Sequence, residues 1–180
     1  REVIAQLSLI PMDAPRRAKQ TAQLLRQRGV SSDETLEKRL RELGEETCGE
    51  TMLGCWEMSG ERGECEEVLR LISEEFFHQA GYLSLDMHAY PFLCKEIVQS
   101  LRRNPYTILC IEHFSETFEE LRALVFGGLH KGELRSEEQR VSLRHTLVVF
   151  LEEERSYCDE IAALANASFH FARTPAALRT

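Results

Sequence analysis

Five cations and no acid lie between Ala14 and Ser32 (Arg16, Arg17, Lys19, Arg26 and Arg28), in a 180-residue chain whose formal net charge is −8. Clustered cations do one kind of chemistry, the holding of anions. Near an anionic lipid surface each is worth about 1 kcal/mol, lost as salt screens it. The phosphates of a nucleic acid attract the same charges. Residues 14–32 contain no aromatic side chain on which a base could stack, which weighs against single-stranded nucleic acid. The competing roles are a solubilising surface, or pairing with the segment that follows: residues 33–75 hold 14 acids against 5 bases.

Other residue types capable of chemistry do not form a recognisable arrangement. His78, His88, His113, His130, His145 and His170 show no grouping with cysteines or carboxylates at ligand spacing, whereas a zinc centre needs about four converging N or S donors. Cys158 and His170 come nearest, without companions. The runs Glu45-Glu46 and Glu152-Glu153-Glu154 would fan around a helix rather than converge as an acid–base pair. Gly127-Gly128 is followed by no G-K-S/T and reads as a helix end rather than a phosphate loop. The sequence therefore assigns no catalytic residue, no metal site, no cofactor and no enzymatic activity.

The elements that must carry the cations read as helical. Composition favours helix formers, and Gly (10) and Pro (5) are few. Pro15 suits a first helical turn; Ala18, Ala22 and Leu25 make a buried stripe with the cations turned away, and Gly29 is a stop. Ser32 or Asp33 caps a second helix with Leu36, Leu40 and Leu43 on one face, ending at Gly44. Residues 2–10 form a short apolar segment. "TMLGCWEMSG" reads as a one- or two-turn helix with Trp56 packed beneath its neighbours, and "MSGERGE" (58–64) as a loop. Val68, Leu69, Leu71, Ile72, Phe76 and Phe77 mark another helix, and Phe92 to Leu101 one more, ended by Asn104-Pro105. "YTILCIEHF" fits either a buried strand or a short helix and is assigned to helix for want of a partner strand. Thr117 with Glu120, and "SEEQ" (136–139), have the pattern of capping boxes, the second opening a helical stretch to about Ala167. The fold class so predicted is all-α, two small helical bundles in tandem: residues 1–80, a linker over 81–91, and 92–180.

The longest apolar run, "TLVVFL" (146–151), is far short of the roughly 20 residues of a membrane span. No signal peptide is visible, and six irregularly spaced cysteines point to reduced thiols in a cytosolic or nuclear setting.

In order along the chain, Glu2-Val3, Leu7-Ser8, Pro11, Pro15, Ala18, Ala22-Gln23 with Leu24 or Leu25, and Leu36-Glu37 with Leu40 resemble the N-terminus of the orthomyxovirus (influenza-type) matrix protein. "SGERG" (59–63) is similar to the family's loop between its helical halves, and "CDEIA" (158–162) to a stretch near the end of its second half; residues 66–150 show little similarity. The resemblance implies an all-helical structural protein of the virion that polymerises on the inner face of the envelope. It would bind anionic membrane and link it to the ribonucleoprotein and the envelope glycoprotein tails, passing through host cytoplasm, membrane periphery and nucleus. Membrane contact would fall to Arg16, Arg17, Lys19, Arg26 and Arg28, because Glu64-Cys65-Glu66-Glu67 stands where influenza members carry a basic cluster. That departure, and the acidic total, fit a divergent member such as one from a fish virus. The family's zinc-like pattern would begin at Arg155 and its histidines are not met. A second resemblance, of "LRLISEEF" (69–76) and "LRALVFGG" (121–128) to helices of the apoptosis-regulator (Bcl-type) bundle, implies an intracellular binding module. There the signature before Phe126 reads Glu116-Thr117-Phe118-Glu119, with Glu119 in place of the arginine that would pair with a ligand's aspartate.

Overall fold

The computed structural model of the chain describes residues 13–28, 34–47, 49–78, 81–154 and 158–171. In chain order these form α1 (Ala14–Gln27), α2 (Glu34–Glu45), β1 (Gly54–Gly60), α3 (Arg62–Phe76) and β2 (Tyr82–Asp86). A 3-10 turn (Met87–Ala89), α4 (Tyr90–Arg103), β3 (Ile108–Glu112) and α5 (Glu119–His130) follow. The chain continues through β4 (Glu133–Ser136), β5 (Gln139–Ser142), β6 (Leu147–Glu152), α6 (Asp159–Leu164) and β7 (Ala167–Phe171). The fold is therefore mixed α/β, and the all-α expectation is overturned by a five-stranded sheet of order β2-β3-β6-β1-β7 whose neighbours all pair in parallel. The expected linker over 81–91 holds β2, paired residue for residue with β3 from Tyr82↔Ile108 to Asp86↔Glu112. Both expected subdomains, 1–80 and 92–180, contribute strands to this one sheet. The apolar segment 2–10, Gly29, the caps at Ser32 and Asp33, and the tail beyond Phe171 lie outside the described residues.

Further expectations change with the sheet, among them the loop over 58–64, which ends β1 and opens α3, and the helical stretch from 136 to about Ala167, which holds strands β5 and β6. "GCWEMSG" is strand β1, with Trp56 fully buried against Phe169 at a ring-centroid distance of 5.4 Å. "ILCIE" is strand β3, buried along its whole length. "SEEQ" turns a hairpin, β4 against β5, with Glu137 in the left-handed region (φ 54) rather than capping a helix. Thr117 gives its hydroxyl to the His113 carbonyl (2.8 Å), and α5 starts at Glu119 with no side-chain cap.

The topology follows from handedness. Parallel crossovers are right-handed, so a connection running one way along the sheet puts its helix on one face and the reverse direction puts it on the other. β1→α3→β2 runs towards the β2 edge, whereas β2→α4→β3, β3→α5→β6 and β6→α6→β7 run back. The core divides accordingly. Trp56, Met58, Cys110, Val149 and Phe169 face Leu69, Ile72 and Phe76 of α3, with Leu25 of α1 and Leu40 of α2 stacked outside. Leu109, Ile111, Val148 and Phe150 face Val98 of α4, Val125 of α5 and Ile161 of α6. Each fully buried Leu, Ile or Val contributes about 1.5–3 kcal/mol of hydrophobic free energy, so both layers are needed.

Candidate functional site at the carboxyl edge of the sheet

In open parallel sheets the ligand crevice opens outside the carboxyl ends of neighbouring strands whose following helices lie on opposite faces. Here that pair is β1 and β6, followed by α3 and α6. The crevice at this point is small, about 40 Å³, and is lined by Gly60, Arg62, Glu112, Glu116, Glu152 and Glu153, with His113 at its side. A space of this size holds a water or two and no nucleotide.

Its first wall is the turn from β1 into α3. β1 hands over to α3 through the single residue Glu61. Gly60 is required there: its φ is +127°, and a Cβ would stand 1.9 Å from the Phe171 carbonyl oxygen on β7. A strand, a glycine turn and a helix N-terminus is the arrangement by which P-loop proteins cradle phosphate with backbone N–H groups, helped by the lysine of G-x-x-x-x-G-K-[ST]. The corresponding stretch reads Met58-Ser59-Gly60-Glu61-Arg62-Gly63-Glu64-Cys65, with glutamate in place of the lysine and cysteine in place of the hydroxyl. Burial pushes the Cys65 thiol up to about 12, aided by Glu64 and Glu61, so it is no nucleophile at neutral pH. Cys55 is pushed to about 12 by burial alone, and Cys110 is raised by burial with Glu112 beside it.

The acids of the crevice are held in place. Glu112, ending β3, accepts from Arg62 Nη2 (3.2 Å) and from Ser84 Oγ on β2 (2.9 Å), while Arg62 Nε reaches Glu66 at 2.9 Å. Glu152, ending β6, accepts from the Ser115 hydroxyl (2.9 Å) and backbone N–H (3.3 Å). Burial raises its pKa against those two hydrogen bonds, with Glu116 and Glu57 adding to the rise. One cation among four carboxylates makes this crevice repel phosphate.

One strand further along, the same edge carries a different cluster. Asp86 ends β2, its Oδ1 accepting the His88 backbone N–H at 3.0 Å and so capping the 3-10 turn. His113 follows β3 directly in the left-handed region (φ 61) and places Nδ1 3.0 Å from the same Oδ1. The rings of His88 and His113 stack at 4.3 Å, 11° from parallel. His88 Nδ1 stands 3.8 Å from Asp86 Oδ1, and its Nε2 stands 3.3 Å from Glu116. Burial works against the charges of both Asp86 and His113, but it is outweighed: Asp86 is lowered by the His88 backbone N–H and by His113, and His113 is raised by Asp86 with Glu116 and Glu112. Asp86, His88 and His113 each bring a ligand atom within 4.8 Å of the others. The expectation of ungrouped histidines is corrected here. The spacing Asp-x-His was visible in the sequence, but only the β2–β3 register brings His113 alongside.

Four of the five cations assigned to membrane contact sit on α1 and the fifth, Arg28, is its C-cap residue; the helix's buried Ala18, Ala22 and Leu25 match the expected stripe. Arg17 donates to the backbone carbonyl of Glu75 and meets its carboxylate at 3.2 Å; Arg26 reaches Glu37 at 4.0 Å, and Arg28 reaches Glu67 at 3.6 Å. All three acids belong to the acidic run 33–75, so the two signs meet within the chain. Arg16 and Lys19 are exposed.

A larger groove, about 720 Å³, opens between α4, α5 and the β4–β5 hairpin. Tyr90, Cys94 and the exposed Leu124 form its apolar wall, and Lys131, Arg135 and Arg140 its basic rim. Gly128 lets the hairpin approach α5, since a Cβ there would meet the Glu133 carbonyl at 2.9 Å. Sequence reasoning missed this groove because it depends on the hairpin. No helix among the described residues is long and apolar enough to cross a membrane. No protein-family model matches the chain, and no curated protein is significantly similar to it.

Proposed function

We propose that this chain is a partner-binding module: a parallel-sheet domain of nucleotide-binding type that neither holds nor cleaves nucleotide, and that grips an acidic segment of another protein in the groove between α4, α5 and the hairpin. The observation that carries this reading is the contrast in lining. The crevice where such a sheet would take a phosphate is narrow and filled by Glu112, Glu116, Glu152 and Glu153. The groove has the volume of a ligand site, an exposed leucine and three rim cations against two glutamates, Glu133 and Glu137. An extended peptide with one apolar anchor and flanking acids matches that chemistry.

The test has two arms. Fluorescent ATP and GTP analogues with Mg²⁺ are expected not to bind, and selection from a peptide library is expected to yield acidic sequences with one large apolar residue. Leu124→Glu and Arg140→Glu should each weaken the selected peptides at least about tenfold. Saturable nucleotide binding, or peptides indifferent to both substitutions, would overturn the proposal. The viral matrix reading drew on an all-helical fold and five free cations; this chain has a parallel sheet and three of those cations ion-paired. Vesicles rich in phosphatidylserine are expected not to float the chain. Salt-sensitive flotation abolished by Arg16→Glu with Lys19→Glu would favour the matrix reading instead.

A further inference from the structure

We propose that Asp86, His88 and His113 form a mononuclear site for a divalent first-row transition ion, with Zn²⁺ as the natural probe. The site is independent of the groove and of whatever the groove binds.

Two ligands on one tetrahedral zinc, each about 2.0–2.1 Å from the metal, stand about 3.3–3.4 Å apart. The two separations from Asp86 Oδ1, 3.0 Å to His113 Nδ1 and 3.8 Å to His88 Nδ1, straddle that value. The longer one exceeds a hydrogen bond, and an ion bound by all three donors would draw the His88 ring inward.

The surroundings support the same assignment. A metal-bound histidine usually donates its other ring N–H to a carboxylate, which fixes ring and tautomer. His88 has that partner, with Nε2 turned to Glu116 at 3.3 Å. The carboxylate is fixed by the His88 backbone N–H, and the turn bearing His113 by the Thr117 hydroxyl on its carbonyl. Glu112, Glu116, Glu152 and Glu153 beside the cluster concentrate cations at this end of the sheet. Two imidazoles and one carboxylate leave at least one coordination position open. Nitrogen ligands select zinc and its neighbours over Mg²⁺ and Ca²⁺.

The experiment titrates the metal-free full chain with ZnCl₂ alone, read by calorimetry and by the ring nitrogen resonances of all histidines. One equivalent is expected to bind, shifting Nδ1 of His88 and His113 while His145 and His170 stay unmoved; excess Mg²⁺ should not compete. Asp86→Asn and His113→Gln should each weaken binding at least about tenfold, and Glu116→Gln about tenfold through His88, whereas His145→Gln should leave it unchanged. The resonance shifts are read on the unaltered chain, so a variant that fails to fold cannot mask the outcome. Absence of binding, shifts centred on other histidines, or sulfur in the metal's X-ray absorption spectrum would overturn the assignment.

Discussion

Two neighbouring parts of one sheet edge use similar residues to opposite ends. Around the crevice, the acids that end β3 and β6 already have donors: Glu112 has Arg62 and Ser84, and Glu152 has Ser115. The space left is about 40 Å³, and the crevice is closed chemistry. Over β2 and β3, Asp86, His88 and His113 converge mainly on one another, about half-exposed, with no guanidinium or ammonium among their described partners. The strand ends are equivalent in the fold. What differs is the exit from each strand: β1 ends on a glycine and passes through one glutamate into α3, whereas β3 is followed by histidine in a left-handed turn. After β1 the next helix begins at once and its first residue, Arg62, reaches into the crevice; after β3 a turn intervenes, and His113 meets Asp86 and His88 instead.

The largest effect should come from breaking the closed side at its backbone. Gly60→Ala puts a Cβ into the Phe171 carbonyl at a φ that L-residues rarely adopt, and β1 and β7 must separate or the turn must unwind. A loss of at least about 3 kcal/mol is expected in urea unfolding. Gly127→Ala, inside α5 with nothing within 4 Å of the added methyl, should instead gain about 0.5–1 kcal/mol. Equal small losses for both would mean that the β1–α3 junction is not under the constraint described.

A smaller effect should follow from opening the crevice chemically. Arg62→Gln leaves the buried Glu112 carboxylate with Ser84 as its remaining described side-chain donor. Because the Arg62 side chain is 60% exposed, water replaces part of what is lost, and a cost of about 1–3 kcal/mol is expected. The same unfolding measurement decides it; a variant as stable as the parent would show that the ion pair is ornamental.

The two regions also differ in how readable they were. The helices announced themselves: Ala18, Ala22 and Leu25 on α1, and Val98 and Leu101 on α4, keep the helical period, and α4 stops at Asn104-Pro105 as expected. The central strands could not, because β3 and β6 are buried on both faces and show no alternation of polar and apolar residues. Parallel pairing adds no hairpin turn to mark a boundary, and the β4–β5 hairpin turns through Glu137 where a glycine or asparagine is usual. The closed crevice was half-visible as Ser-Gly-Glu-Arg-Gly between an apolar run and an amphipathic helix. The histidine cluster was not, since His88 and His113 are brought together by strand register alone.

The smallest effect should separate the two regions by pH. Glu152 has its folded pKa raised, chiefly by burial and opposed by Ser115. A raised folded pKa means that the native state favours the protonated form. The stability this contributes is full below the unfolded carboxylate range and is lost as pH rises through the folded value. His113 is also raised, with burial opposing and Asp86, Glu116 and Glu112 prevailing; the stacked His88 ring is its other titratable neighbour. Its contribution is full below the usual histidine value of 6.5 and is lost as pH climbs past the folded one. Both variants, Glu152→Gln and His113→Gln, therefore gain on the parent as pH rises, but in different windows. In metal-free protein the Tm difference for Glu152→Gln should shift from above the carboxylate range, and that for His113→Gln only from about pH 6.5 upward. Adding Zn²⁺ should reverse the second comparison alone, because the ion stabilises the parent by binding the neutral ring that the variant lacks. A zinc response shared by Glu152→Gln and the parent, and absent from His113→Gln, would tie the ion to the open side of the sheet edge; a response common to all three chains would place it elsewhere.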